Sequence, residues 1–120
     1  MAERQRPSIN HLKLDRVFHG KARLAIVTAL AGAAEGLSFA QLKAHCGFTD
    51  GNLSSHLQVL EEAGYVAIDK NHEGRRPLTR CRLTHQGRID FCAYLVVLEE
   101  AVTQAKQAAW TAEMKDLFAS

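Results

Sequence analysis

Apolar residues recur along this chain with two different spacings, and the change of spacing divides it. Up to residue 64 the period is helical. Leu14, Val17 and Phe18 stand at i, i+3 and i+4, a short amphipathic helix that Gly20 interrupts. Lys21 to Ala34 reads as a second, alanine-rich helix with Leu24, Val27, Leu30 and Ala31 on one face. Ser38 opens the next helix, and Gln41 three residues on completes a capping-box pattern. Phe39, Leu42 and Cys46 form its apolar stripe, and Gly47 ends it. Thr49 is a good N-cap, with Asp50 favourably placed in the first turn of a helix that runs to about Ala63, before Gly64.

The period then shortens to two. Tyr65 to Lys70 reads as a short strand, and Arg80 to Leu83 alternates, with Cys81 and Leu83 facing one way and Arg80 and Arg82 the other. Between them Asn71 to Leu78 reads as a polar turn too long for a tight hairpin, and Leu37-Ser38 as a minor third strand. Thr84 caps a long final helix. Helix, helix, helix–tight turn–helix, hairpin, long helix is the layout of a winged helix-turn-helix, mainly α with a small β-hairpin. The expected organisation is one domain over residues 1–120. It comprises a loose arm (1–9), the helix-turn-helix (38–64), the wing (65–84) and a C-terminal dimerisation helix (85–118).

The last helix carries the dimer expectation. Phe91, Leu95, Leu98, Val102, Ala105 and Ala109 are spaced 4, 3, 4, 3, 4, a heptad seam, with Ile89, Cys92 and Val96 as a second stripe. A helix from His85 to Trp110 is about 39 Å long, more than a small winged domain needs. Trp110, Met114, Leu117 and Phe118 extend the interface or fray. Leu14, Phe18, Phe91, Leu95, Leu98 and Val102 are the expected interface; a helix folded back on its own domain is the alternative.

Composition narrows the class. The net charge is +2, with 47% apolar and 23% charged residues, which excludes wholesale disorder. The longest apolar stretch, Leu24 to Ala31 around Thr28, is too short to span a bilayer, and no signal-peptide core follows the charged start, so a cytoplasmic protein without membrane contact is expected. Cys46, Cys81 and Cys92 form no CxxC and suit a reducing compartment. The charge is unevenly spread: six basic against two acidic residues over 1–23, five against one over 70–82, and two against five over 89–120. The basic stretches suit an anionic partner.

Double-stranded DNA is that expected partner. With Leu53 at 0° on the helix from Thr49, Leu57 and Leu60 fall within about 40° of it and form the core stripe. The opposite face carries Ser55, with Gly51, Asn52 and Gln58 beside it, small polar groups able to approach a major groove and read base edges. Ser54 suits a phosphate near the helix start. Glu62 falls on the outer side at the far end, and His56 at the margin of the core stripe reads as a packed histidine. Because no arginine lies on this helix, direct readout is modest, and DNA shape contributes. Lys70, Arg75, Arg76, Arg80 and Arg82 make the wing basic, and guanidinium groups bind phosphate in bidentate fashion or enter a narrow minor groove. Pairing with the protein's own acids is the competing reading.

The run Thr49-Asp-Gly-Asn-Leu-Ser-Ser-His-Leu-Gln-Val-Leu-Glu-Glu-Ala-Gly-Tyr-Val66 resembles the recognition helix of MarR/ArsR-type winged-helix transcription regulators. The likeness continues through Lys70, Glu73-Gly-Arg-Arg-Pro77, Thr79 and Leu83-Thr-His-Gln-Gly-Arg88, and covers residues 12–100. It implies a compact DNA-binding regulator, usually a homodimer, with Thr49, Asn52, Ser54, Ser55 and Gln58 presented by the recognition helix. It is silent on target gene and effector.

No glycine-rich phosphate loop, HExxH, serine elbow or carboxylate pair is present, so neither enzyme activity nor a cofactor is expected. The paired cysteines of metal-sensing ArsR relatives are missing; His72, Cys81 and His85 are close in sequence, but Cys81 points inward and the histidines read as loop residues, so no metal site is expected. No basic neighbour activates Cys46 or Cys92 for redox switching. Two other readings compete: a winged-helix adaptor that binds protein rather than DNA, and a regulator gated by a small molecule or metal.

Overall fold

The computed structural model describes residues 17–18 and 20–119. From Lys21 onward the described residues form, in order, α1 (Lys21–Ala31), β1 (Leu37–Ser38), α2 (Phe39–Cys46), α3 (Asp50–Glu62), β2 (Val66–Glu73), β3 (Arg76–Leu83) and α4 (His85–Ala119). The strands form one antiparallel sheet in the order β1-β3-β2. This is a winged helix-turn-helix. Val17 and Phe18 are helical; Leu14 and the expected arm lie outside the described residues.

Local chemistry sets the helix ends. The Ser38 hydroxyl accepts from the Gln41 N–H at 3.0 Å while the Gln41 side chain accepts from the Ser38 N–H at 2.9 Å, a complete capping box. Gly47 closes α2 at φ 75°, a left-handed conformation that glycine adopts without a Cβ penalty. Thr49 then caps α3, accepting from Asn52 N–H at 3.2 Å. α1 ends at Ala31, short of the expected Ala34, because the chain turns through Gly32 toward β1.

The core lies where α1, α3, the sheet and the start of α4 converge. Ile26, Val27, Leu30, Leu42, Leu53, Leu57 and Leu60 are buried, as the helical stripes require. Phe18 sits at the middle of an aromatic cluster, stacked on Tyr65 at 4.8 Å and tilted against Phe91 at 5.5 Å and Tyr94 at 5.6 Å. This corrects the expected interface: Phe18 and Phe91 are 0% and 5% exposed and belong to the chain's own core. Their burial leaves Leu95 and Val102, 41% and 47% exposed, as the accessible part of the seam. The second stripe is also exposed, with Ile89 at 49% and Val96 at 56%.

The wing departs from its expected form. Its strands stay paired to Glu73↔Arg76, leaving only Gly74 and Arg75 as a two-residue turn. Gly74 has φ 65° and Arg75 no positive φ, the pattern of a II′ turn, whose twist matches that of the flanking strands. The polar composition of 71–78 conceals this because a II′ turn needs only one residue at positive φ, here Gly74. Pro77 is tolerated in β3 because β1 stops opposite Arg80, three residues away. His72 accordingly lies in β2 and His85 in α4, not in loops.

α4 is fixed to the sheet by close contact. A Cβ on Gly87 would collide with the backbone carbonyl of Tyr65. Thr84 secures the same junction: its hydroxyl donates to the Gly64 carbonyl at 2.7 Å and accepts from the Gly87 N–H at 2.9 Å, and its N–H donates to the Tyr65 carbonyl at 2.9 Å. Arg88 donates to the Ala31 carbonyl at 3.2 Å, a cation at the C-terminal end of α1. From Glu99 to Ala119 every side chain except Met114 is exposed.

Gly87→Ala should destabilise the fold by about 2 kcal/mol or more by forcing α4 off Tyr65. Gly51→Ala, which meets nothing within 4 Å, should stabilise it by up to about 1 kcal/mol through helix propensity. Chemical denaturation of the two variants checks both. The cysteines should separate by reactivity. Burial raises the Cys81 thiol from 9.0 to about 11, with Glu61 and Asp69 adding to the effect, and burial also raises Cys46. A thiol reagent at pH 8 should label exposed Cys92 first and Cys81 only on unfolding. The unfolded chain loses the Cys81 proton before the folded chain does, so stability should fall as pH rises from 9 toward 11. A flat denaturation midpoint over that range would contradict this.

Candidate nucleic-acid interface

The tight turn Gly47-Phe48-Thr49 sets α3 against α2, and the Leu53, Leu57 and Leu60 stripe anchors α3 to the core. That leaves the opposite face of α3 outward. Gly51, Asn52, Ser54, Ser55 and Gln58 are all exposed. No side chain among them carries a charge, so the face is small and polar. Thr49, also exposed, uses its hydroxyl oxygen on the Asn52 N–H and keeps its O–H proton for another acceptor. Lys43 pairs with Asp50 at 2.8 Å beside the turn, an exposed pair of modest value. His56 is half-buried with its ring 6.1 Å from that of Phe48, in keeping with a packing role.

Strand register decides which wing residues share a side with α3. Ile68, Lys70, Thr79 and Cys81 alternate on the face turned to α3, while Asp69, Arg80 and Arg82 lie on the other. A groove of about 550 Å³ runs between α3 and the wing, lined by Ser54, Leu57, Gln58, Glu61, Lys70 and Thr79, with Phe39 and Ile68 at its base. The fold thus brings Ser54, Gln58 and Lys70 together. It adds Thr79, which the sequence reading missed. Extending the period-two alternation of Cys81 and Leu83 back by one step would have found it. Arg75 and Arg76 stand exposed at the wing tip.

Arg80 and Arg82 are not brought to this side. Arg80 is half-buried and donates to the Gly36 carbonyl at 3.2 Å, bracing the loop before β1. That loop needs support, because buried Gly36 has φ 87° and a Cβ there would lie 2.5 Å from the Cys81 carbonyl oxygen. Arg82 lies 3.7 Å from Asp69 across the outer face of the sheet. Of these two only Arg82 fits the competing reading, pairing with the protein's own acids; Arg80 is held by a backbone carbonyl instead. Glu62 holds the Gln58 amide at 3.4 Å, a long contact that Gln58 can exchange for another acceptor.

Among the described residues no group of three or more His, Cys, Asp or Glu could hold a metal ion. No helix among them is long and apolar enough to cross a membrane.

Comparison with known proteins agrees with this geometry. Residues 22–102 match the family of the winged helix DNA-binding domain. An uncharacterized protein of Methanocaldococcus jannaschii is 36% identical over 80 residues, covering 67% of this chain and 86% of its own length. The structure of a transcriptional regulator homologue from Pyrococcus horikoshii OT3 is similar with a TM-score of 0.71 at 27% identity, covering 80% of this chain and 97% of the other. A protein of Enterococcus faecalis V583 assigned to the MarR family of transcriptional regulators shares the fold with a TM-score of 0.71 at 20% identity, over 90% of this chain and 96% of the other. The chain belongs to the winged helix DNA-binding domain family, and its fold is that of the MarR-type transcriptional regulators.

Proposed function

We propose that the protein is a sequence-specific DNA-binding transcriptional regulator that acts as a homodimer in the cytoplasm and has no catalytic activity. The observation that carries this reading is the juxtaposition of an exposed, uncharged polar face on α3 with a cationic wing beside it. α3 enters the major groove. Asn52, Ser55 and Gln58 meet base edges, Asn and Gln being suited to the N6/N7 edge of adenine. One DNA strand passes through the groove between α3 and the wing, where Ser54, Lys70 and Thr79 offer donors to phosphate, and Thr49 offers its hydroxyl at the start of α3. Arg75 and Arg76 reach the next phosphates or the minor groove. Gly51 lets the helix start lie close to the duplex. Arg80 and Arg82 act at one remove, by holding the wing and the loop before β1.

Dimerisation follows from the scale of the site. One winged domain contacts few base pairs, and this one offers no arginine for direct readout from its recognition helix. Two copies double the contacts and match a site with two-fold symmetry. α4 extends well past the packed core, and its exposed Leu95 and Val102 supply an apolar surface for a second copy.

The wing is tested by salt dependence. Arg75→Ala with Arg76→Ala should weaken binding to all duplexes and reduce the slope of log K against log salt by roughly 1 per lost phosphate contact. Arg82→Ala should leave the slope unchanged. An unaltered slope in the double variant would overturn the assignment. The dimer is tested first by sedimentation of the protein without DNA, with a species of twice 13.3 kDa expected at micromolar concentration. Leu95→Glu with Val102→Glu should give a folded monomer that binds a palindromic site far more weakly; a variant that stays dimeric would remove α4 from the interface.

A further inference from the structure

The outward face of α3 ends in a negative charge. Ser55, Gln58 and Glu62 follow one another along it at i, i+3 and i+7, and all three are exposed. A carboxylate on this side repels phosphate and by itself weakens binding to any duplex. Glu62 has a partner, however. One helical turn back, Nε2 of Gln58 donates to its Oε2 at 3.4 Å. Because a carboxylate only accepts, the Gln58 amide lies with its nitrogen toward Glu62; the reversed amide would set two acceptors against each other.

We propose that Glu62 is a specificity-determining positioning residue, which holds the Gln58 amide in the orientation that reads adenine and rejects guanine. This rests on the DNA-binding reading above and adds a residue to it. A glutamine amide has two N–H donors and one carbonyl acceptor. With one N–H on Glu62, the other N–H and Oε1 remain for a base edge. Adenine presents the acceptor N7 beside the N6 donor and satisfies both. Every polar group of the amide is then in use.

Guanine presents two acceptors, N7 and O6. It calls for both N–H groups, so the amide has to leave Glu62 and turn its oxygen away, and the carboxylate loses its partner. Cytosine and thymine each offer one group and so take one bond where adenine takes two. Without Glu62 the amide turns freely, and Gln58 accepts either purine.

The length of the contact sets the size of the effect. At 3.4 Å the bond gives way to a stronger acceptor, so Glu62 biases the amide and does not lock it. The bias is expected as about a tenfold preference for adenine over guanine, in the lower part of the range for a bidentate pair. Glu61, next in sequence, differs in its surroundings. It lines the groove between α3 and the wing together with Lys70, where its charge meets the passing strand and acts on phosphate, not on bases.

Selection from a pool of random-sequence duplexes, sequenced after binding, tests the assignment. The full chain is compared with Gln58→Ala, Glu62→Ala, the two combined, and Glu61→Ala. These changes fall on exposed residues, and the variants should melt as the parent does. The parent should enrich adenine at a position where Gln58→Ala enriches no base. Glu62→Ala should admit guanine at that same position, lowering the adenine-to-guanine ratio about tenfold, and should change nothing there once Gln58 is gone. Glu61→Ala should tighten binding to all duplexes alike and leave the ratio as in the parent. A Glu62→Ala protein that shows only such uniform tightening would overturn the positioning role, as would a changed ratio that persists without Gln58. A parent that retains no duplex, or whose preferences ignore Gln58→Ala, would overturn the base-reading assignment itself and the positioning role with it.

Discussion

The hydroxyl of Thr84 joins three parts of the molecule that have to move together. It donates to the Gly64 carbonyl just after α3 and accepts from the Gly87 N–H in the first turn of α4, while the threonine's backbone N–H binds the Tyr65 carbonyl at the start of the sheet. α3, the wing and the long helix therefore meet at one point. The absence of a side chain at Gly87 lets α4 sit directly on the backbone of Tyr65. Tyr65 in turn stacks on Phe18, and Phe91 and Tyr94 complete the cluster. Burial, with Asp90 nearby, pushes the Tyr65 phenol far above its ordinary range, so it stays neutral in the core at physiological pH.

From that junction the basic residues divide by task. Alternation along β3 sends Thr79 toward α3 and Arg80 away from it. Arg80 and Arg88 both donate to backbone carbonyls, of Gly36 and Ala31, at the two ends of the turn between α1 and β1. Cations that look alike in a charge count thus serve as internal braces, while Arg75 and Arg76 remain exposed at the tip. Hydrogen bonds to otherwise unpaired carbonyls are reason enough to hold an arginine at such positions.

Much of the fold was legible in the sequence because its signals are local. The capping box at Ser38–Gln41, the left-handed Gly47 and the Thr49 cap each depend on neighbours within one helical turn, and each formed as read. The core face of α3 was equally plain from Leu53, Leu57 and Leu60. What escaped was non-local. Phe18 and Phe91 have the spacing of interface residues, yet they pack against each other, and Tyr65, distant in sequence, stacks on Phe18. The length of the wing was hidden because hydrogen bonding between strands, not composition, holds Asn71–Glu73 to Arg76–Leu78. Arg80 on Gly36 likewise depends on the pairing of β1 with β3, which spacing within one strand does not reveal, whereas Thr79 needed only one more step of the alternation of Cys81 and Leu83.

The two-residue turn at Gly74-Arg75 has a kinetic consequence. A long flexible loop would let its arginines sample many positions and lose that freedom on binding. Here the backbone is held by paired strands up to Glu73 and Arg76, so only side-chain rotation remains to be restricted when the tip meets a phosphate. Under the proposed function, pre-organisation of this kind lets a charged tip capture the duplex early in an encounter, before α3 is seated. The wing would then set how fast the protein finds DNA, and α3 how long it stays at any one sequence.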